Sequence, residues 1–297
     1  MKKSLPPRPL AEPLSPEQAR LREQARQQRD AEIRGVTSIE AMREAIKRSA
    51  GSIDVPTAID RLRALDAAGF AARAAAGLPF IMTGLVGKWP LAAMTPLELQ
   101  QRHGDLPVRA RVGDYIGTAF AADRAMQDMS LKTYLERVAD HGTGLPPYVG
   151  NLELRALNTL CHWPGYFRKM GPPRFWIGPA GTVTPLHCDY DDNIFAQVWG
   201  RKRIILAPPH HHDLLYAKQA SGLLFGSPFD PDAPDFERFP LARQARMVEC
   251  IVQPGDMLYV PAGWYHQVRA LDFSLSANRW ARGVPLALDG ADSAIAS

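Results

Sequence analysis

At 297 residues, 46% of them hydrophobic, and with a net charge of +4, the chain can bury one large core and is too apolar for disorder throughout. It has no run of eighteen apolar residues, which excludes a membrane-spanning helix of the usual kind, and Pro6, Pro7, Pro9 and Glu12 interrupt any signal-like apolar region behind Met1-Lys2-Lys3. Three cysteines, Cys161, Cys188 and Cys250, are an odd number without paired spacing, which argues against a disulfide framework and for a reducing, cytoplasmic setting.

Residues 1–50 hold eleven Lys and Arg against seven Asp and Glu, so the remaining 247 residues, with 24 of each, balance to zero. A basic arm of this kind suits contact with nucleic acid, a ribosome or an acidic partner, and equally suits a merely solvated helical face. Residues 1–13 are Pro-rich and read as disordered. Ser15 as N-cap, Pro16 at the first helical position and Gln18 closing a capping box predict a helix through Leu21 and Ala25 toward Ile33, broken at Gly35. Thr37 with Glu40 predicts a second, with Ile39, Met42 and Ile46 on one stripe. Two short helices are expected over 58–68 and 70–76, broken by Gly69 and Gly77. Residues 79–86 read as a buried strand followed by a turn at 87–90. Thr95 with Pro96 and Glu98 starts another helix, ended at Gly104; 108–116 alternates as a strand, and 130–141 is helical.

From residue 174 the pattern changes to short strands punctuated by Gly and Pro, at 175–177, 194–199, 203–207, 247–252, 257–260, 266–270 and 273–279. Many short strands with little helix between them imply a sandwich or barrel. The segment 221–240, with Pro228, Pro231, Pro234 and Pro240 among Phe225, Phe229, Phe236 and Phe239, reads as an insertion loop over one mouth of it. Such a loop can form a groove for an extended peptide or a lid over a metabolite.

The chemistry concentrates in 181–206, where His187 and Asp189 lie two apart in a strand-like segment and so share a face. His266 follows 79 residues after His187, on a later strand. Two histidines and one carboxylate on one side of an octahedral ion leave open positions, the facial arrangement of non-haem Fe(II) oxygenases. The same set also binds zinc, manganese or nickel, and a buried His–Asp hydrogen bond is the metal-free alternative. Cys188, between the two, points to the opposite face. His210-His211-His212 sit on a loop after Pro208-Pro209 and are expected to point apart into solvent. Lys202 shares a face with Ile204 and Leu206, where a charge needs a partner. On 273–280, Ser274, Ser276, Asn278 and Trp280 share one face and Phe273, Leu275 and Ala277 the other; a polar face turned inward lines the site. Trp264 and Trp280 are expected in wall and core.

Gly181-Thr-Val-Thr-Pro-Leu-His187-Cys-Asp189, then Asn193-Ile-Phe-Ala-Gln-Val-Trp-Gly-Arg-Lys202-Arg, then Gly255-Asp-Met-Leu-Tyr-Val-Pro-Ala-Gly-Trp-Tyr-His266 together resemble the cupin-like JmjC hydroxylases, the family of the asparaginyl hydroxylase that acts on hypoxia-inducible factor. The similarity is strongest over about 175–282 and looser over 55–174. It implies a mainly β (α+β) fold, a double-stranded β-helix or jelly roll, spanning 55–297 behind a basic, partly disordered helical extension at 1–54. It implies that His187, Asp189 and His266 form the catalytic centre and hold Fe(II), with 2-oxoglutarate as cosubstrate and O₂ as oxidant. Thr184 and Lys202 would then hold the distal carboxylate of 2-oxoglutarate. By the same resemblance Tyr148, in Pro147-Tyr-Val-Gly-Asn151, helps them, and Asn193 and Asn278 lie in the cofactor pocket. A cation with a hydroxyl beside it is most simply explained by a dicarboxylate, against a metal-binding sensor or isomerase on the same fold.

The implied activity is hydroxylation of a C–H bond. Asp235-Phe-Glu-Arg-Phe-Pro240 is similar to the corresponding loop of the asparaginyl hydroxylase, which favours a protein or peptide substrate over a small molecule. A ribosome- or RNA-associated hydroxylase is a further alternative. The chain runs 15 residues beyond Arg282, so dimerisation through a helical carboxy-terminal segment like that enzyme's is not expected.

Overall fold

The computed structural model describes residues 55–280 apart from 121–123, 141–143, 168–169, 190 and 222–223. The amino-terminal extension with its two expected helices, and the stretch after Trp280 that bears on dimerisation, lie outside the described residues.

Fifteen strands among the described residues build two sheets. The larger runs in the order β1 (Asp60–Arg63), β2 (Phe80–Thr83), β13 (Met257–Val260), β8 (Asn193–Trp199), β15 (Ser274–Trp280), β6 (Arg174–Gly178), β5 (Tyr148–Leu152), β3 (Pro107–Arg111), β4 (Met126–Ser130). The smaller runs β10 (Lys218–Ser221), β11 (Leu224–Gly226), β7 (Val183–Asp189), β14 (Tyr265–Ala270), β9 (Lys202–Ala207), β12 (Val248–Val252). Strands consecutive in the chain fall repeatedly into opposite sheets, as β7 and β8 do, which is the jelly-roll arrangement the family resemblance implied.

Side-chain alternation divides the core. Along β8, Ile194, Ala196 and Val198 pack outward into a cluster with Phe70, Phe80, Trp89 and Tyr134, while Phe195 turns inward. Along β13, Met257 and Tyr259 face out and Leu258 and Val260 face in. The inward set meets Ile204, Leu206, Val248 and Val268 from the smaller sheet and closes the lower part of the barrel. Strands buried on both faces read as continuous apolar runs, which is why β8 and β13 are visible in the sequence.

Helices cover the outer face of the larger sheet: α1 (Ala67–Ala74), α2 (Pro96–His103), α3 (Leu131–Ala139) and the single-turn α4 (Arg155–Asn158). The capping box at Thr95 forms as expected, with the Thr95 hydroxyl accepting from Glu98 N at 3.2 Å and Glu98 Oε2 accepting from Thr95 N at 2.8 Å. Ser130 caps α3 by accepting from Thr133 N at 3.1 Å.

Four expectations change. The helix expected over 58–68 is instead β1, parallel to β2, because Asp60–Arg63 completes the sheet edge and Arg61 pairs with Asp256 at 2.7 Å. Gly69 does not break a helix: Asp66 caps α1 by accepting from Gly69 N at 2.8 Å, inside the first turn. The strand expected over 108–116 stops at Arg111, shortly before Gly113 takes a φ of +67°. The phenylalanine-rich part of the insertion does not lie over the barrel mouth. Its Phe225, Phe229 and Phe239 are buried with Cys188, Leu186 and Tyr265 on the outer face of the smaller sheet. Asp232 locks the loop there through Arg203 and through Arg269 at 2.6 Å, while Gln267 donates to Asp230 and Asp232 at 3.0 Å.

Candidate metal centre

His187 and Asp189 stand at the end of β7 and His266 at the start of β14, directly across the ladder in the register His266↔His187. One ligand atom from each of the three lies within 4.8 Å of the others, and this is the only such His/Cys/Asp/Glu group among the described residues. Each imidazole is held by its own strand: His187 Nδ1 donates to Pro185 O at 2.7 Å and His266 Nδ1 to Trp264 O at 3.0 Å. With both Nδ1 atoms protonated against carbonyls, both Nε2 lone pairs face the shared space. Burial, and then the neighbouring His266, push His187 down to about 4, so its ring is neutral at neutral pH, as a ligand must be. Trp280 Nε1 donates to Asp189 Oδ2 at 2.9 Å and fixes the carboxylate's orientation. The donor set, two imidazoles and a carboxylate, each with an orienting partner, fits Fe(II).

The second group lies deeper. A register shift in the β7–β14 ladder sets three steps on β7, Thr184 to His187, against two on β14, Val268 to His266. The extra residue reverses the alternation, so Thr184 and His187 face the same interior. Thr184 Oγ1 stands 3.5 Å from the Tyr148 hydroxyl. Lys202, 1% exposed, donates from Nζ to Ser276 Oγ at 2.8 Å and lies 6.0 Å from the Tyr148 ring centroid and 5.4 Å from that of Phe195. No carboxylate pairs with it among the described residues, and burial pushes its pKa down to about 7. An ammonium bonded to one hydroxyl beside the Tyr148 ring, without an anion among the described residues, fits the distal carboxylate of 2-oxoglutarate. Asn278 donates to Asn193 Oδ1 at 2.9 Å, and Asn278 Oδ1 is left without a partner. The polar face of β15 thus turns inward, each side chain with its own partner: Ser276 for Lys202, Asn278 for Asn193, Trp280 for Asp189.

All eight expected site residues line one interior. Trp264 is core, donating to Gly77 O at 2.9 Å, but Trp280 reaches a ligand of the triad rather than only filling wall. Cys188 points away, fully buried, as its parity required. The three consecutive histidines are not solvated as expected: His211 and His212 are buried, and His212 is bonded to the Tyr265 hydroxyl behind the smaller sheet. They contribute to no metal-binding group of three among the described residues.

Sequence reasoning missed the wall that Tyr115 and Phe120 bring beside the site. Phe120 lies 5.9 Å from the His187 ring, and Tyr115 lies 5.9 Å from Tyr148. Gly226 pairs with His187 across β11–β7, and a Cβ there would come within 2.5 Å of the Phe120 ring, so glycine makes the space the ring fills. Arg111, 7% exposed, stands at 5.5 Å from the Tyr148 ring centroid. The only sequence signal for these residues was an ill-defined alternation past 108.

The family model described as Cupin-like domain matches residues 67–285. The chain is 41% identical over 133 residues to Lysine-specific demethylase JMJ30 of Arabidopsis thaliana, a match covering 45% of this chain and 27% of the relative. It is 44% identical over 105 residues to Lysine-specific demethylase 8 of Xenopus tropicalis, covering 35% and 24%. Against tRNA wybutosine-synthesizing protein 5 of Gallus gallus it is 35% identical over 124 residues, covering 41% and 38%. The match spans about a quarter of the length of the two demethylase-named relatives. With the family model covering most of the chain and the facial triad inside the jelly roll, the protein belongs to the cupin-like JmjC family.

Proposed function

We propose that this chain is an Fe(II)- and 2-oxoglutarate-dependent hydroxylase acting on a C–H bond of a protein side chain, in a cytoplasmic setting. Lys202 carries the reading: a buried cation bonded to the Ser276 hydroxyl beside two aromatic rings, with no carboxylate partner among the described residues and in the same interior as a His-Asp-His triad, calls for a dicarboxylate whose other end reaches the metal. His187, Asp189 and His266 would hold the ion, and Lys202, Ser276, Thr184 and Tyr148 the distal carboxylate. Bound Fe(II) supplies the redox chemistry that couples oxidation of 2-oxoglutarate to succinate and CO₂ with insertion of one atom of O₂ into the C–H bond. The chain's own work is positioning and exclusion. Pro185 O and Trp264 O fix the orientation of the two imidazoles, Trp280 orients Asp189, and Phe120 covers His187 against bulk water.

The test is an anaerobic titration of the Fe(II)-loaded protein with 2-oxoglutarate, followed by metal-to-ligand charge-transfer absorption. The band is expected in the wild type, and Lys202→Ala should weaken 2-oxoglutarate about tenfold or more while iron content stays full. No band at saturating 2-oxoglutarate would return the protein to a metal-binding sensor or isomerase. The protein-substrate part draws support from the two relatives named as lysine-specific demethylases, whereas the tRNA wybutosine-synthesizing relative supports an RNA substrate. Incubation with lysate, Fe(II) and 2-oxoglutarate should yield peptides heavier by one oxygen. Enzyme-dependent oxidation confined to RNA or to small molecules would reverse the assignment.

A further inference from the structure

Lys202 is not the only unpaired cation in this interior. Arg111 ends β3 in register with Tyr148, so its side chain stands on the inner face of the sheet beside that ring, 5.5 Å from guanidinium carbon to ring centroid. A Cβ on Gly150 would come within 3.2 Å of its Cζ and Nη2 and 3.1 Å of Trp176, so the guanidinium lies flat across a glycine beside the indole. Trp176 is 5.6 Å from Trp280, which holds Asp189, so the guanidinium's neighbours lead directly to the triad.

Arg111 is 7% exposed, and neither an acidic group nor a hydrogen-bond acceptor partners it among the described residues; its Nε is buried and unbonded. The fully buried hydroxyl of Tyr115, whose ring lies 5.9 Å from that of Tyr148, is also unbonded. Burial holds the guanidinium below its ordinary pKa and Arg124 pushes the same way, while Tyr148 and Tyr115 favour its charged form. A desolvated guanidinium with a phenol nearby, both without acceptors, is costly unless an anion completes the pair. The distal carboxylate of 2-oxoglutarate already has Lys202, Ser276, Thr184 and Tyr148, and its other end belongs to the metal. One cation and one hydroxyl are left over.

We propose that Arg111, with Tyr115, receives a carboxylate of the primary substrate, so that the side chain oxidised belongs to or adjoins an acidic residue. This rests on the hydroxylase reading above and narrows its substrate class. A guanidinium offers two parallel N–H donors to a carboxylate, a match for one terminal anion. A polynucleotide would need cations in a row along its backbone, and residues 51–297 carry no net charge.

The test uses protein loaded with Mn(II) and 2-oxoglutarate, which binds without turnover. It is titrated with two fluorescent peptide pools that differ only in a central Asp or Glu against Asn or Gln. The wild type should bind the acidic pool at least about tenfold more tightly, Arg111→Gln should abolish the preference, and Arg111→Lys should keep part of it. Equal binding of the two pools by the wild type overturns the proposal, as does a preference that survives Arg111→Gln. A loss of 2-oxoglutarate affinity in Arg111→Gln as large as in Lys202→Ala would also overturn it, by assigning the guanidinium to the cosubstrate. A short RNA pool bound more tightly than either peptide pool, and released by Arg111→Gln, would overturn it in favour of a phosphate. The hydroxylase reading fails separately, on the charge-transfer band, and the peptide comparison does not depend on turnover.

Discussion

Trp280 donates its indole N–H to Asp189 Oδ2 at 2.9 Å, from the last residue of β15 to the last residue of β7, in the opposite sheet. The only carboxylate of the triad is therefore aimed by a residue of the larger sheet, and the two sheets must be closed on each other for the ion to find its third ligand. Trp280→Phe keeps the ring against Trp176 and removes only the donor. Partners of this kind are worth about 10–100-fold in metal affinity, and a loss in that range is expected. Competition with a chelator of known affinity for Fe(II) measures it, and an unchanged constant would reduce Trp280 to packing.

Asp232 fixes the insertion to the outer face of the smaller sheet by pairing with Arg203 and Arg269. It is 13% exposed, and its removal leaves two partly buried guanidinium groups short of a partner. Asp232→Ala should cost about 1–3 kcal/mol, seen as a lower midpoint in urea. Iron and 2-oxoglutarate affinities should stay within a few-fold, because the loop is anchored behind the sheet and not over the site. A loss of cosubstrate affinity without loss of stability would put the loop back at the mouth.

Gly226 leaves the space that the Phe120 ring occupies beside His187. Gly226→Ala drives a methyl group into that ring, and the side chain must swing off the histidine. Metal content should be kept, while 2-oxoglutarate is consumed with less hydroxylated product formed because water reaches the site. The ratio of succinate to hydroxylated product formed is the measurement. A ratio equal to the wild type's would mean that Phe120 excludes nothing.

The spacing of His187, Asp189 and His266 was legible because ladder geometry is local: two residues apart on a strand share a face, and long double-sided strands such as β8 and β13 advertise themselves by unbroken apolar runs. The small polar face of β15 was legible for the same reason. Thr184 was legible only through the family resemblance, since strict alternation sets it opposite His187 and only the extra residue in β7 brings both inward. The position of the insertion was hidden. Its phenylalanines look the same whether they line a groove or pack behind a sheet, and the deciding contacts run from Asp232 to Arg203 and Arg269, 29 and 37 residues away. The edge strands β1 and β4 carry exposed polar residues and are strands only through their neighbours. Arg111 lay at the end of a weak alternation, and its lack of an acceptor among the described residues depends on tertiary packing that the sequence does not display.

Lys202 links pH to both stability and cosubstrate binding. Burial lowers its pKa from 10.5 to about 7. The unfolded chain therefore holds a proton that the folded protein lacks between about pH 7 and 10.5, and the penalty for burying this group shrinks as pH rises through that window. For the protein free of 2-oxoglutarate, stability relative to Lys202→Met should thus climb from pH 7 to pH 10, and the methionine variant should be the more stable of the two at pH 7. Binding runs the other way. The distal carboxylate requires the ammonium form, which is largely present at pH 6 and scarce at pH 9, so 2-oxoglutarate affinity should fall by up to about tenfold per pH unit above 7. Proton uptake on binding, measured by calorimetry in buffers of different ionisation enthalpy, should approach one per 2-oxoglutarate near pH 8 and disappear in Lys202→Met. A flat affinity from pH 6 to pH 9 would mean that Lys202 is charged throughout and already neutralised by a partner the described residues do not include.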